Sequence, residues 1–193
     1  KWFTSAPMCD AFLVLAYAPK GMSCFLVPRV LPDGTRNSLR FMRLKDKLGN
    51  RSNASAELEF DNTLAWIVGE EGRGVPTIID MVHATRLDVA NWGVSLMRQA
   101  VSQAGWHVAN RDAFGSTLID KPLMQNVLAD LEIEVEAATL MITRLSGAHE
   151  RMEIDDHERA FARLATPIAK YWLTKQSNPV VRESLECVGG NGY

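Results

Sequence analysis

Val68-Gly69-Glu70-Glu71-Gly72-Arg73-Gly74-Val75 divides the chain into two parts with different hydrophobic periods. Downstream, Val75, Ile78, Ile79 and Val82, then Leu87, Ala90, Val94, Met97, Val101 and Ala104, recur at three- and four-residue steps. That spacing puts one face of a helix into a core. No proline interrupts Thr77 to Arg111, so the pattern predicts one helix of about 35 residues, roughly 50 Å long. Asp120 stands where it can cap a second helix, with Pro122 in the first turn, running to about His149. Asp155-Asp156 caps a third, bent at Pro167. Asn178-Pro179 opens a short fourth, which Gly189-Gly190 stops. Long helices with short connections are antiparallel neighbours, so residues 69–193 read as an all-α, up-down four-helix bundle.

Upstream the period is two. Phe12 to Tyr17 and Ser23 to Val30 are apolar runs on either side of Pro19-Lys20-Gly21, which predicts a hairpin. Pro32-Asp33-Gly34 is a second turn. From Leu39 to Leu48, Met42, Leu44 and Leu48 alternate with Arg43, Lys45 and Lys47. Ala54, Ala56, Leu58 and Phe60 then alternate with Ser55, Glu57 and Glu59. Such alternation predicts sheets with one buried face, so residues 1–68 read as part of a β-barrel or sandwich domain. The fold class is therefore α+β, multidomain.

Composition narrows the function. The 193 residues carry 21 Lys plus Arg and 23 Asp plus Glu, a net charge of −2, which gives no general electrostatic reason for nucleic-acid binding. No apolar run approaches the roughly 18–20 residues that cross a bilayer, and no secretory signal is visible. The chain opens Lys1-Trp2-Phe3 without an initiator Met, which leads us to expect a piece of a longer polypeptide. The three cysteines, Cys9, Cys24 and Cys187, are scattered and read as small buried thiols. None of His83, His107, His149 and His157 stands three residues after a Glu, so a di-iron bundle site is not predicted. Asp130, Glu132, Glu134 and Glu136 read as a solvated helix surface. Gly69 to Gly74 lacks the Lys and Ser/Thr of a phosphate-binding loop and reads as a helix entry. The basic cluster Arg36, Arg40, Arg43, Lys45, Lys47 and Arg51 reads as a charged sheet edge.

Three arrangements are more specific. Lys1-Trp2-Phe3-Thr4-Ser5 puts a flat ring beside a small hydroxyl. Arg111-Asp112-Ala113-Phe114-Gly115 ends the longest helix with a cation, an aromatic and a glycine. Gly189-Gly190-Asn191-Gly192-Tyr193 leaves backbone free to approach a ligand. With Lys47-Leu48-Gly49-Asn50-Arg51 and Leu128-Ala129-Asp130 through Glu136-Ala137-Ala138, in this order and spacing, the chain resembles the acyl-CoA dehydrogenases. Ser23 to Arg29, Leu31 to Gly34 and Leu44 to Ser55 are similar to the AidB-like, alkylation-response branch.

The resemblance implies an FAD-dependent oxidoreductase that forms 2,3-enoyl-CoA from an acyl-CoA thioester, with hydride passing to flavin N5. It implies that 1–68 is the C-terminal part of the middle β domain and 69–193 the C-terminal helical bundle, truncated at its end. Trp2 would pack near the flavin ring and Thr4 would hydrogen-bond its N5 edge. Arg111 would reach the FAD pyrophosphate of a neighbouring subunit, Phe114 would pack beside that cofactor, and Gly189 and Gly190 would let backbone approach it. A homodimer or homotetramer follows, with an electron-transfer flavoprotein or other acceptor, a cytoplasmic location and no membrane partner. The AidB-like alternative is a flavoprotein that binds or protects DNA through a region C-terminal to this segment. Pro122 and Glu186 stand where many members have Gln. The catalytic base is expected beyond Tyr193; at the alternative base position on the first long helix stands Thr85, which cannot act as a carboxylate. This segment alone is therefore expected to be inactive.

Overall fold

The computed structural model describes residues 1–192. Packing divides the chain into two compact units, Lys1–Met81 and a second from Val82 onward, whereas the change of hydrophobic period lies near Val68.

The first unit contains two three-stranded antiparallel sheets. In one, β1 (Trp2–Phe3) and β4 (Leu39–Leu44) flank β5 (Ala56–Phe60); in the other, β2 (Ala11–Ala18) and β6 (Trp66–Val68) flank β3 (Gly21–Pro28). The predicted hairpin is present, with Ala18 opposite Gly21 and Ala11 opposite Pro28 across a two-residue loop. Phe12, Val14 and Val27 from one sheet meet Ala56 and Leu58 from the other in a shared core, together with Ala6. Phe3 stacks edge-on against Phe12 at 5.5 Å and Phe60 at 5.8 Å, joining the sheets. Asn37 pins the loops: its carboxamide donates to the carbonyls of Pro28 (2.9 Å) and Leu64 (2.8 Å) and accepts from the N–H groups of Ser38 and Leu64.

One strand departs from expectation. The alternation from Leu39 to Leu48 predicted a buried face, but the strand ends at Leu44, the register shifts between Phe41 and Arg43, and Met42, Leu44 and Leu48 are exposed. β4 is an edge strand with only β5 beside it among the described strands, and its apolar side chains Phe41, Met42 and Leu44 are exposed.

In the second unit, α1 (Gly74–Asn110), α2 (Pro122–Arg151) and α3 (Asp156–Cys187) run up, down and up; α1 begins within the first unit. Of the predicted stripe, Ala90, Val94, Met97, Val101 and Ala104 are buried, Ile78, Ile79, Val82 and Leu87 are half-buried and Val75 is exposed. The buried part meets Leu131, Val135, Ala138, Ile142 and Leu145 of α2 and Ala169, Leu173, Val180 and Cys187 of α3. Asp155 caps α3 as expected, its carboxylate accepting from the N–H groups of His157 (2.8 Å) and Glu158 (3.2 Å). Asp120 does not cap α2; it ends a 3-10 turn, Leu118–Asp120, and Lys121 takes the N-cap position without a side-chain cap.

The expected break at Asn178-Pro179 is absent, so the described bundle has three long helices rather than four. The buried positions of α3, Ala162, Thr166, Ala169, Leu173, Val180, Ser184 and Cys187, hold one helical phase past both Pro167 and Pro179. Burying that continuous stripe outweighs the hydrogen bond each proline removes. Near the two prolines, Thr166 donates to Ala162 O at 2.6 Å and Ser177 to Thr174 O at 3.0 Å, both bonds within the helix.

Candidate functional site

The first candidate surface is the outer edge of β1. The Lys1 and Leu58 backbones exchange both hydrogen bonds, at 2.7 and 2.8 Å. In an antiparallel ladder such pairs alternate, so Phe3 bonds to Ala56 while the Trp2 backbone points away from β5. Thr4 follows one step on. Its N–H and hydroxyl have no partner among the described residues; its carbonyl accepts the Cys9 thiol at 3.7 Å. An exposed threonine with two free donors thus stands beside a partly exposed indole (Trp2, 38% accessible).

That indole sits in a cross-strand row with Glu57 and Arg43. The Arg43 guanidinium lies 5.3 Å from the ring centroid and donates to Glu57 at 2.8 Å; the Lys45 ammonium lies 5.8 Å from the same ring. Half of the basic cluster is paired with carboxylates: besides Arg43, Arg40 faces Glu59 at 3.7 Å and Arg51 faces Asp46 at 3.3 Å.

The second surface is the end of the bundle where α1 and α3 finish. After Asn110 the chain forms a hairpin, β7 (Asp112–Ala113) and β8 (Ser116–Thr117), in place of a simple helix cap. Its two-residue turn is Phe114-Gly115, both with positive φ (56° and 85°), the requirement of a type I′ turn. For a phenylalanine this conformation is strained, and the ring is 92% exposed. Leu118 N–H donates to Arg111 O at 2.9 Å, Thr117 Oγ1 to Asp112 at 2.8 Å and Lys121 Nζ to Phe114 O at 2.9 Å, which together hold the turn. The Arg111 side chain is exposed and has no carboxylate partner among the described residues.

Phe114 shares an apolar cavity of about 390 Å³ with Leu118, Leu123, Met124, Glu186 and Cys187, so the hairpin and the end of α3 are brought together. Glu186, which stands where many members have Gln, turns toward Arg182 at 3.4 Å. Burial, reinforced by the Glu183 charge, pushes the Cys187 thiol up, leaving it protonated and inert.

Gly189 has φ 66°, the left-handed conformation that closes a helix C-terminus. Gly190 needs no such φ, and a Cβ there would meet nothing within 4 Å, as at Gly189. A Cβ on Gly192 would stand 2.3 Å from Leu185 O, so this glycine is required by packing. Tyr193, the last residue of the motif, lies outside the described residues.

Thr85 is exposed on α1 and its hydroxyl donates to Val82 O at 3.0 Å, within its own helix. Among the described residues no three His, Cys, Asp or Glu side chains cluster to hold a metal, and no helix is long and apolar enough to cross a membrane.

Two family models match the chain. Residues 1–63 match the acyl-CoA dehydrogenase middle domain and residues 72–193 the acyl-CoA dehydrogenase C-terminal domain. AidB of Escherichia coli, whose name places it among acyl-CoA dehydrogenases, is 48% identical over the whole of this chain and 36% of its own length. The Caenorhabditis elegans ACDH-11 structure in complex with C11-CoA superposes with a TM-score of 0.89 at 32% identity, covering all of this chain and 34% of that one. Butyryl-CoA dehydrogenase from Megasphaera elsdenii, at 22% identity and a TM-score of 0.81, shares the fold over 98% of this chain and 49% of its own. The chain thus spans between a third and a half of the length of these relatives.

Proposed function

The chain belongs to the acyl-CoA dehydrogenase family, on its AidB-like side, and from that premise we propose that the whole protein is an FAD-dependent oxidoreductase acting on acyl-CoA thioesters. The observation that carries this reading is the edge of β1. An indole and two unpaired threonine donors lie together there, as a flavin's flat ring and polar N5 edge require. When bound, FAD supplies a hydride acceptor for the substrate's β-carbon.

This chain's residues would then divide the work. Trp2 packs the ring, and Thr4 donates to its polar edge through N–H or hydroxyl. At the bundle end, the unpaired fork of Arg111 suits a pyrophosphate, the exposed Phe114 ring supplies an apolar wall, and Gly189 and Gly190 leave room for backbone approach. In this reading those groups serve the FAD of a neighbouring subunit, so cofactor binding is tied to a homo-oligomer. The α-proton must leave to a carboxylate. Thr85 cannot take it, so the base comes from elsewhere in the protein. Reoxidation falls to an electron-transfer flavoprotein or another acceptor.

The test is anaerobic titration of the full-length protein with a panel of acyl-CoAs. Bleaching of a bound flavin by at least one member is the expected result. A colourless protein, or a yellow one that no acyl-CoA bleaches, refutes the reading.

The AidB-like stretches and the 48% identity to AidB also favour a second reading, an alkylation-response flavoprotein that binds DNA. With a net charge of −2 and the cations of β4 largely paired, the DNA contacts would fall outside this chain. Duplex affinity that weakens with salt would support it; no binding at low salt would remove it.

A further inference from the structure

Behind the edge of β1 lies a loop that the functional reading leaves unused. Ser5 has φ 54° and ψ 21°, left-handed backbone in a residue that is not glycine. Here the chain leaves β1 for the 3-10 turn Ala6–Met8, with Ser5 O accepting from the N–H groups of Met8 (2.8 Å) and Cys9 (3.1 Å). L-residues avoid this conformation unless their surroundings hold it. The holder is Asn53, forty-eight residues away: its Oδ1 accepts both the Ser5 N–H at 3.1 Å and the Ser5 hydroxyl at 3.0 Å.

Asn53 is itself fixed. Its carbonyl accepts from Lys47 Nζ, which also reaches Ser55 Oγ at 3.2 Å, and from Ser55 N–H at 3.0 Å. Lys45 N–H bonds to Ser55 O at 2.8 Å and closes the loop's neck. The Lys47–Ser55 loop is thus a brace whose reach ends on both donors of Ser5. Thr4 is the residue immediately before: the bond from Ser5 N–H to Asn53 anchors the Thr4–Ser5 peptide, and the pairing of Phe3 with Ala56 anchors the chain on its other side, so Thr4 stands between two fixed points.

We propose that Asn53 is a positioning residue for the cofactor edge: by accepting both Ser5 donors it holds the left-handed turn that aims Thr4 at the flavin. Asn53 touches neither substrate nor cofactor. The inference rests on the FAD reading above.

The test uses the full-length protein and three variants. Asn53→Leu keeps the shape and removes the acceptor. Asn53→Asp keeps an acceptor oxygen. Ser5→Gly, placed in the Asn53→Leu background, makes the left-handed conformation intrinsically accessible. Three quantities are read: the FAD dissociation constant from apoprotein titration, the position of the bound flavin's long-wavelength absorption band, and exchange of the Ser5 amide hydrogen in the apoprotein. Asn53→Leu is expected to accelerate Ser5 exchange, shift the band and weaken FAD binding by roughly fivefold to tenfold, the worth of about one hydrogen bond. Asn53→Asp is expected to behave as wild type, and Ser5→Gly to restore most of the lost affinity.

An Asn53→Leu protein whose band and affinity match wild type overturns the proposal. So does an Asn53→Asp protein as impaired as Asn53→Leu, or a Ser5→Gly change that restores nothing. A wild-type protein that binds no FAD refutes the function itself and this role with it; a yellow wild type with unaffected variants refutes the role of Asn53 alone.

Discussion

Gly74→Ala and Gly105→Ala add the same methyl group to the same helix with opposite expected signs. At Gly74 an ideal Cβ would stand 2.4 Å from the Ser23 carbonyl carbon, 2.7 Å from Cys24 N and 2.7 Å from Ser23 Cα. Carbon atoms pack at about 3.5–4.0 Å, so α1 and β3 would have to part by about 1 Å. β3 cannot yield alone: Ser23 and Cys24 are fully buried, and Cys24 is paired with Leu15 on one side and Val68 on the other. Overpacking of this kind costs about 1–3 kcal/mol or more, and the helix-propensity gain at a first helical position is too small to offset it. At Gly105 nothing lies within 4 Å, and the residue sits inside α1 with ordinary helical φ. There alanine gains about 0.5–1 kcal/mol. At about 2–4 °C per kcal/mol for a chain of this size, Gly74→Ala lowers Tm by roughly 2–12 °C and Gly105→Ala raises it by roughly 1–4 °C. Thermal unfolding followed by circular dichroism reads both; because two units need not unfold together, hydrogen exchange assigns the first change to the β unit and the second to the bundle. A neutral Gly74→Ala, or a destabilising Gly105→Ala, would show that close approach to β3 and open space around α1 do not govern these sites.

Two further outcomes test the bundle. Burial, and to a smaller extent the nearby His83, holds the His149 imidazole below its usual range. Thr166 donates its proton to Ala162 O, so His149 Nε2 donates to Thr166 Oγ1 at 2.8 Å. A depressed folded pKa means that the unfolded chain takes up the proton first. Stability from this group is therefore complete above about pH 6.5 and declines as pH falls through the folded value. His149→Gln keeps a donor and does not titrate, so its Tm between pH 7 and 5 should fall less than that of wild type. Arg111→Ala should leave the apoprotein's Tm unchanged, because the side chain has no internal partner, yet weaken FAD binding by about tenfold or more. Arg111→Lys should recover only part, since a point charge lacks the guanidinium fork; an apoprotein Tm that drops in either variant would place Arg111 in the fold instead.

The sequence was most readable where one pattern ran long. The α1 stripe from Ala90 to Ala104 is buried as its spacing demands, and the β2–β3 hairpin follows from its turn and two apolar runs. The misjudged break in α3 had a readable counter-signal, because the buried stripe keeps its phase from Leu173 to Val180 across Asn178-Pro179. Thr166 and Ser184, polar residues on that stripe, disguised it. β4 failed for a different reason: alternation shows which side chains share a face, and what covers the face is a property of the assembly. β6 is three residues long, too short for a period to show.

The candidate site was less readable, for reasons particular to its residues. The Phe114-Gly115 hairpin reads as a helix end, because the usual markers of a type I′ turn are Asn-Gly or Asp-Gly and a phenylalanine at φ 56° is the exception. That exception is informative in itself. Nothing in the bundle needs a strained aromatic at 92% exposure, and an alanine-sized residue would spare an apolar ring its contact with water. The same reasoning applies to Ser5, left-handed without being glycine, and to Thr4 beside it, with two donors open to solvent. Left-handed backbone in a residue other than glycine is a cost that a fold keeps when something uses it, and donors that bond only to water, like those of Thr4, are free for a ligand. Of the four described non-glycine residues with positive φ, Ser5 lies at the β1 edge and Phe114 at the bundle end, the two places where the family resemblance sets a flavin; the other two, Asn50 and Asn62, are of the residue type that accepts this conformation most readily.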